Sequence, residues 1–358
     1  MPKPIFSQAL RTLLLFTMSL TACTGASQTG GAIGAARSEG SNPGEITLTL
    51  GAYTTPREAY GEIIPLFQEY WKEQSGQTVT FEASYLGSGA QSRAVVEGFE
   101  ADIVVLSLEA DVNRIADAGL ITHDWKALPN NGMISTSIAV MAVREGNPKG
   151  ITDWVDLVQD GIEILTPDPR TSGGAQWNVL AIYGAADRGR VAGYPAGEEG
   201  ARTLLKDIFR NVTALDKSAR DSITNYEQGV GDVAITYENE VLVGQQAGQT
   251  YEYVMPTSTI LIENPVAVVD TYVDEHGTRE VAQAFRDFLW TADVQRIFAR
   301  HGLRPVLPEV ATEVAEQYPP VTDLFTIEHF GGWGNVTQPF FGDDGLFLQI
   351  MEEIQRGD

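Results

Sequence analysis

Ser172-Gly173-Gly174 stands where backbone chemistry can hold an anion. It follows a buried strand marked by Ile162, Ile164 and Leu165 and a Pro-rich turn, Thr166 to Arg170, and it opens a helix predicted over 175–186. A helix start carries unpaired backbone N–H groups and a partial positive charge. Two glycines let a ligand approach that bare backbone, and the serine hydroxyl adds one more donor. The same residues also suit an ordinary serine N-cap on a tightly packed helix.

The pattern recurs. A strand over 79–83 is followed by Gly87-Ser88-Gly89-Ala90 and a helix predicted over 91–98. A strand over 212–215 is followed by Lys217-Ser218-Ala219-Arg220 and a helix predicted over 222–229. Three strand-to-helix turns therefore present Ser, Gly or Ala at a helix start. In an open α/β sheet, ligands sit at the carboxyl ends of the strands. Other chemistries lack their residues. There is no GxSxG and no HExxH, the chain has 4 His and 1 Cys, and no acidic pair is singled out as an acid/base couple. A nucleophilic triad or a zinc centre has little to draw on.

The elements that position these turns follow from periodicity. Ile46 to Leu50 alternates as a first strand, and Arg57 to Gln74 is amphipathic with Gly76 as its stop. Strands are predicted over 101–107, 137–144, 233–238 and 266–269, with helices over 110–118, 151–159 and 199–210. A single long amphipathic helix is predicted over 279–298. Alternating strands and helices argue for doubly wound, mainly parallel sheets. The length of the folded part, from about residue 46 onward, suggests two lobes. Lobe 1 is expected over 46–136 and 263–358, lobe 2 over 137–262, with a hinge near 135–140 and 257–264.

Lys3 and Arg11 precede a short apolar run, 12–20, and Leu20-Thr21-Ala22-Cys23 matches a bacterial lipobox. Residues 1–22 are thus expected as a lipoprotein signal peptide and Cys23 as the lipidation site, anchoring the chain to a membrane face. Residues 23–45, rich in Gly, Ser, Ala and Asn, are expected as a flexible tether. The net charge of −24 makes nucleic acid an unsuitable partner. It does not exclude a small anion, because aligned N–H dipoles in a dry cleft outweigh distant, salt-screened acids.

From about Thr47 to Gln349 the chain resembles the bacterial sulfate-binding proteins of sulfate and thiosulfate ABC transporters. The matching segments include Arg57-Glu58-Ala59-Tyr60, Gly87-Ser88-Gly89, Gly98 to Val104, Gly146-Asn147-Pro148-Lys149, Ser172 to Ala175, Trp177-Asn178, Gly231-Asp232-Val233, Glu238-Asn239-Glu240 and Phe330-Gly331-Gly332-Trp333. The resemblance implies a two-lobed periplasmic-binding-protein fold of type II and a sulfate dianion held by uncharged donors. It implies an N–H and hydroxyl from Ser88, the hydroxyl of Ser172, N–H groups from Gly173 and Gly174, and the N–H of Ala219. Gly89 and Thr54 are weaker candidates. Arg220 is expected either to support the Ala219 peptide or to pair with a surface acid. Where the family usually has a Trp whose indole binds sulfate, this chain has Tyr237, a phenol that can donate or accept.

The function so implied is that of an extracytoplasmic, lipid-anchored, monomeric receptor. It hands sulfate to the permease subunits of an ABC importer and needs no cofactor or metal. Thiosulfate, molybdate and phosphate remain open as ligands. A secreted enzyme on a sulfated or phosphorylated compound, or a passive envelope protein, would be the reading from another class.

Overall fold

The computed structural model describes residues Glu45–Gly357. The expected signal peptide, Cys23 and nearly all of the tether lie outside the described residues.

The first half-sheet is built from β1 (Glu45–Tyr53), α1 (Arg57–Ser75), β2 (Thr78–Leu86), α2 (Ser88–Val96), β3 (Ile103–Val105) and α3 (Glu109–Asp117). β1 runs parallel to both β2 and β3. Gly76 ends α1 in the left-handed region at φ 76°, where a residue without Cβ is unstrained. β4 (Met133–Val143) then carries the chain across to β5 (Ile164–Pro167), α4 (Gly173–Asp187), α5 (Glu198–Arg210), β6 (Val212–Asp216), α6 (Ala219–Glu227), β7 (Val233–Tyr237), α7 (Glu238–Gln246) and β8 (Glu252–Val254). β5 lies parallel between β6 and β7. β9 (Ser258–Val268) carries the chain back.

β4 and β9 are the connection between the two half-sheets. They pair antiparallel over Met133–Ile138 and Leu261–Pro265. Beyond that stretch they part: the end of β9 joins β3, and the end of β4 joins β7. The strand order is β2-β1-β3-β9-β4-β7-β5-β6. Each half-sheet is thus three parallel strands with one antiparallel neighbour, the pattern of a two-lobed type II binding-protein fold.

The chain continues through α8 (Asp270–His276), α9 (Arg279–Phe288), α10 (Ala292–Arg300), β10 (Arg304–Pro305), α11 (Pro308–Glu313), β11 (Asp323–Phe325), α12 (Trp333–Phe341) and α13 (Leu346–Arg356). The single helix expected over 279–298 is two helices. Trp290 turns inward, its indole donating to the Met133 carbonyl at 2.9 Å. The Thr291 hydroxyl bonds the Phe288 carbonyl at 2.7 Å and its backbone is extended (ψ 148°), which breaks the helical path. α9 and α10 pack on α1, with Phe67 and Phe285 edge to face at 4.9 Å. Of the C-terminal pair, read above with lobe 1, α12 packs on α3 of the first half as well as on α4, and α13 packs on α5. Phe340 packs on Tyr183, Phe347 packs on Phe209, and Glu353 pairs with Arg202 and Lys206.

α4 is buried along nearly its whole length. It is apolar all round rather than on one stripe, as a helix enclosed by other elements must be. Enclosure on all sides fixes the position of its first turn.

Candidate functional site

Each of the three helices starts earlier than periodicity predicts, and the shift places Ser88, Gly89, Gly173, Gly174, Ala219 and Arg220 in a first helical turn. α2 begins at Ser88, α4 at Gly173 and α6 at Ala219. Ser172 caps α4, its hydroxyl oxygen accepting from Ala175 N–H at 3.4 Å. Ser218 caps α6, accepting from Asp221 N–H at 3.1 Å. In α2 the corresponding N–H, that of Ala90, donates to the Thr171 carbonyl at 3.1 Å. The first two N–H groups of each helix lie ahead of any intrahelical acceptor. Those of Ser88 and Gly89, Gly173 and Gly174, and Ala219 and Arg220 have no hydrogen-bond partner among the described residues.

The three turns meet at Gly87. A Cβ there would stand 2.6 Å from the Thr171 carbonyl oxygen and 2.7 Å from that of Lys217. Thr171 immediately precedes the cap of α4, and Lys217 the cap of α6. The Thr171 hydroxyl ties the last two together by donating to the Lys217 carbonyl at 2.9 Å. Three positive helix ends therefore converge from two half-sheets, an arrangement that favours an anion.

A buried wall closes the site beside α4, and its central residue, Ser107, is one that sequence reasoning missed. The Ser107 N–H donates to the Ser88 hydroxyl oxygen at 2.9 Å. Its carbonyl accepts from the Trp177 indole at 2.8 Å and from the Asn264 amide at 3.1 Å. Its hydroxyl lies 2.5 Å from the Tyr237 phenol. The Tyr237 ring lies against Gly174, where a Cβ would stand 2.6 Å from a ring carbon. Burial holds the phenol well above the ordinary tyrosine range, so it stays protonated. The Ser88 hydroxyl donates to Asp111 at 2.6 Å. Of the two donors expected from Ser88, only the N–H is left without a partner.

Arg220 pairs with one partly exposed acid and one buried acid. Its guanidinium donates to Glu58 on α1 through both terminal nitrogens, one at 2.9 Å, and to the Thr55 carbonyl at 3.3 Å. Its Nε donates at 2.7 Å to Glu240, an acid that is 1% exposed rather than on the surface. Burial alone would lower the Arg220 pKa, but Glu240 and Glu58 hold it above the ordinary value. Arg220 thus ties the start of α6 to the β1–α1 turn. Thr54 lies buried in that turn, next to Tyr53, whose ring is 6.4 Å from that of Tyr237.

No group of three or more His, Cys, Asp or Glu among the described residues is arranged to hold a metal ion. Each of the four histidines lies against a carboxylate: His123 with Asp270, His276 with Asp102, His301 with Glu62 and His329 with Asp187. No described helix is long and apolar enough to cross a membrane.

The family profile "Bacterial extracellular solute-binding protein" matches residues 48–304. The chain is 43% identical over 350 residues to the sulfate-binding protein of Synechococcus elongatus, covering 97% of this chain and 96% of that one. It is 37% identical over 305 residues to the thiosulfate-binding protein of Pseudomonas aeruginosa, covering 84% and 90%. Among solved structures, the sulfate-binding protein SubI of Mycobacterium tuberculosis H37Rv superposes with a TM-score of 0.76 at 38% identity, covering 83% of this chain and 99% of that one. These relatives are named as binding proteins, not enzymes. The chain belongs to the bacterial extracellular solute-binding proteins and, among them, to the sulfate-binding proteins.

Proposed function

We propose that this chain is an extracytoplasmic receptor that captures sulfate at the meeting point of α2, α4 and α6 and delivers it unchanged to an ABC importer. The observation that carries the reading is the convergence at Gly87 of three helix starts, each with two N–H groups that have no partner among the described residues. Ser88, Gly173, Gly174 and Ala219 supply N–H donors. Ser172 supplies its hydroxyl, whose oxygen already accepts from Ala175 while its proton has no acceptor among the described residues. Tyr237 supplies the side-chain donor, and Gly89, Thr54 and the Arg220 N–H stand at the margin. Sulfate carries no proton at neutral pH, so a ring of N–H donors satisfies it fully. Set against those N–H groups alone, a ligand that still carries a proton leaves an O–H facing donors, and an unmade buried hydrogen bond costs about 1–3 kcal/mol.

The lobes are read as 46–136 with 263–358, and 137–262, joined at β4 and β9. An anion touching both lobes favours the closed state by its differential contacts, and the permease reads that state. Cys23 is the lipid anchor and the receptor acts as a monomer. Metabolic labelling with a radioactive fatty acid, lost in Cys23→Ser, tests the anchor; size-exclusion chromatography with light scattering tests the monomer.

Isothermal titration of the anion-stripped domain from Gly44 onward tests the ligand. Saturable sulfate binding in the micromolar range or tighter, lost in Gly173→Pro, supports the reading. Tight binding of thiosulfate or molybdate without sulfate binding keeps the site and replaces the ligand.

A further inference from the structure

The backbone N–H groups at the three helix ends offer an anion only protons. One element beside them offers both a proton and a lone pair. Ser107 lies two residues beyond β3 of the first half-sheet, Tyr237 ends β7 of the second, and their hydroxyl oxygens are 2.5 Å apart with either able to donate. Both residues are buried. A Cβ on Gly173 would stand 2.7 Å from the Ser107 hydroxyl oxygen, and a Cβ on Gly174 would stand 3.3 Å from that of Tyr237. The pair therefore lies against the two residues whose N–H groups open α4.

Two hydroxyls carry two protons, and one is used between them. Neither hydroxyl has another hydrogen-bond partner among the described residues. The pair thus presents one free proton and at least one free lone pair. Turning both O–H bonds exchanges which oxygen gives and which receives. The Ser107 backbone does not turn with them, because Ser88, Trp177 and Asn264 hold its N–H and carbonyl.

We propose that Ser107 and Tyr237 form an amphoteric hydroxyl pair that extends the ligand range of this cleft to tetrahedral oxyanions keeping one proton, of which monohydrogen phosphate is the test case. The inference rests on the oxyanion-receptor reading above. Sulfate takes the free proton of the pair. A monoprotonated anion takes that proton on one oxygen and donates its own O–H to the lone pair of the partner hydroxyl. N–H donors alone cannot provide the second contact.

The test measures dissociation constants for sulfate and inorganic phosphate at pH 8, by competition against radiolabelled sulfate on the anion-stripped mature chain. The proteins compared are wild type, Ser107→Ala, Tyr237→Phe and Tyr237→Trp. In wild type, phosphate displaces sulfate. Tyr237 is itself part of the binding site, so sulfate affinity falls in the variants as well, and the readout is the ratio of the two affinities. Phosphate affinity falls by at least about tenfold more than sulfate affinity, the size of one unmade buried hydrogen bond. A structural role for these residues weakens both anions alike, and an unchanged ratio in all three variants overturns the proposal. Phosphate that fails to displace sulfate from wild type at large excess also overturns it. Wild-type protein that binds no sulfate at all removes the functional reading, and this inference with it.

Discussion

Gly87 and Thr171 touch backbone to backbone across the two half-sheets, so close that a Cβ on Gly87 would stand 2.6 Å from the Thr171 carbonyl oxygen. The neighbouring bond from Ala90 N–H to the same oxygen, 3.1 Å, joins the two elements directly. Gly87 itself has φ −57°, an ordinary backbone that alanine adopts without strain. Gly87→Ala should therefore leave each half-sheet folded while holding the turns apart. Overpacking of this kind costs about 1–3 kcal/mol, so sulfate affinity should fall between about fivefold and a hundredfold. The thermal midpoint of the anion-free protein should hardly move. Calorimetric titration beside a thermal melt separates the two effects, and equal loss in both would contradict this reading.

Arg220 and Glu240 form an ion pair whose acid is almost wholly enclosed. Burial pushes the Glu240 carboxyl up, and Arg220 opposes it. Removing the cation alone leaves an uncompensated buried acid, which costs on the order of 3 kcal/mol or more. Arg220→Met should destabilise by that much in urea unfolding, and adding Glu240→Gln should recover most of the loss. A double variant no more stable than Arg220→Met would show that the guanidinium acts through packing instead.

His276 sits 2.9 Å from Asp102 and 3.3 Å from Glu100. Burial alone would lower its pKa, but the two carboxylates outweigh burial and raise it above the ordinary 6.5. A histidine raised on folding stabilises fully below its unfolded pKa, and that stabilisation disappears as pH rises through the folded value. Unfolding midpoints should therefore decline from pH 6.5 upward, and His276→Gln should flatten that decline. A variant with the wild-type slope would assign the pH dependence to another group.

Trp333 packs edge to face on Trp177 at 4.7 Å, and the Trp177 indole holds the Ser107 carbonyl. The C-terminal helices are linked in this way to the wall of the site. Trp333→Ala opens a cavity in a fully packed contact and should cost roughly 3–5 kcal/mol, with weaker sulfate binding beside it. Trp333→Phe should lose less of both. Stability loss with unchanged affinity would separate the C-terminal helices from the site.

The candidate turns were legible because their information is local. A buried strand, a capping serine and two glycines stand within a few residues of one another at Ser172, and the same grammar marks Gly87 and Ser218. Their convergence was not local, and it came from topology and the family resemblance. Ser107 carried no signal, since a serine at the end of an apolar strand reads as a strand end, and its hydroxyl partner is 130 residues away. α7 was missed for a related reason. Its first residues, Glu238-Asn239-Glu240, look solvated, yet they are buried because Arg304 and Arg220 reach them from distant elements. The break between α9 and α10 is set by Trp290 seeking the Met133 carbonyl, a tertiary contact that overrides helical periodicity.

The account stands most directly on whether sulfate reaches the first-turn N–H groups. Amide spectra of ¹⁵N-glycine- and ¹⁵N-serine-labelled protein, titrated with sulfate, read those groups individually. The account predicts saturable downfield shifts of the Gly173, Gly174 and Ser88 amide protons at one sulfate per chain, while Gly76 and Gly277, far along the sequence at helix ends of the opposite sign, stay unmoved. Stoichiometric sulfate binding that leaves the Gly173 and Gly174 amides unshifted would place the anion elsewhere and contradict it.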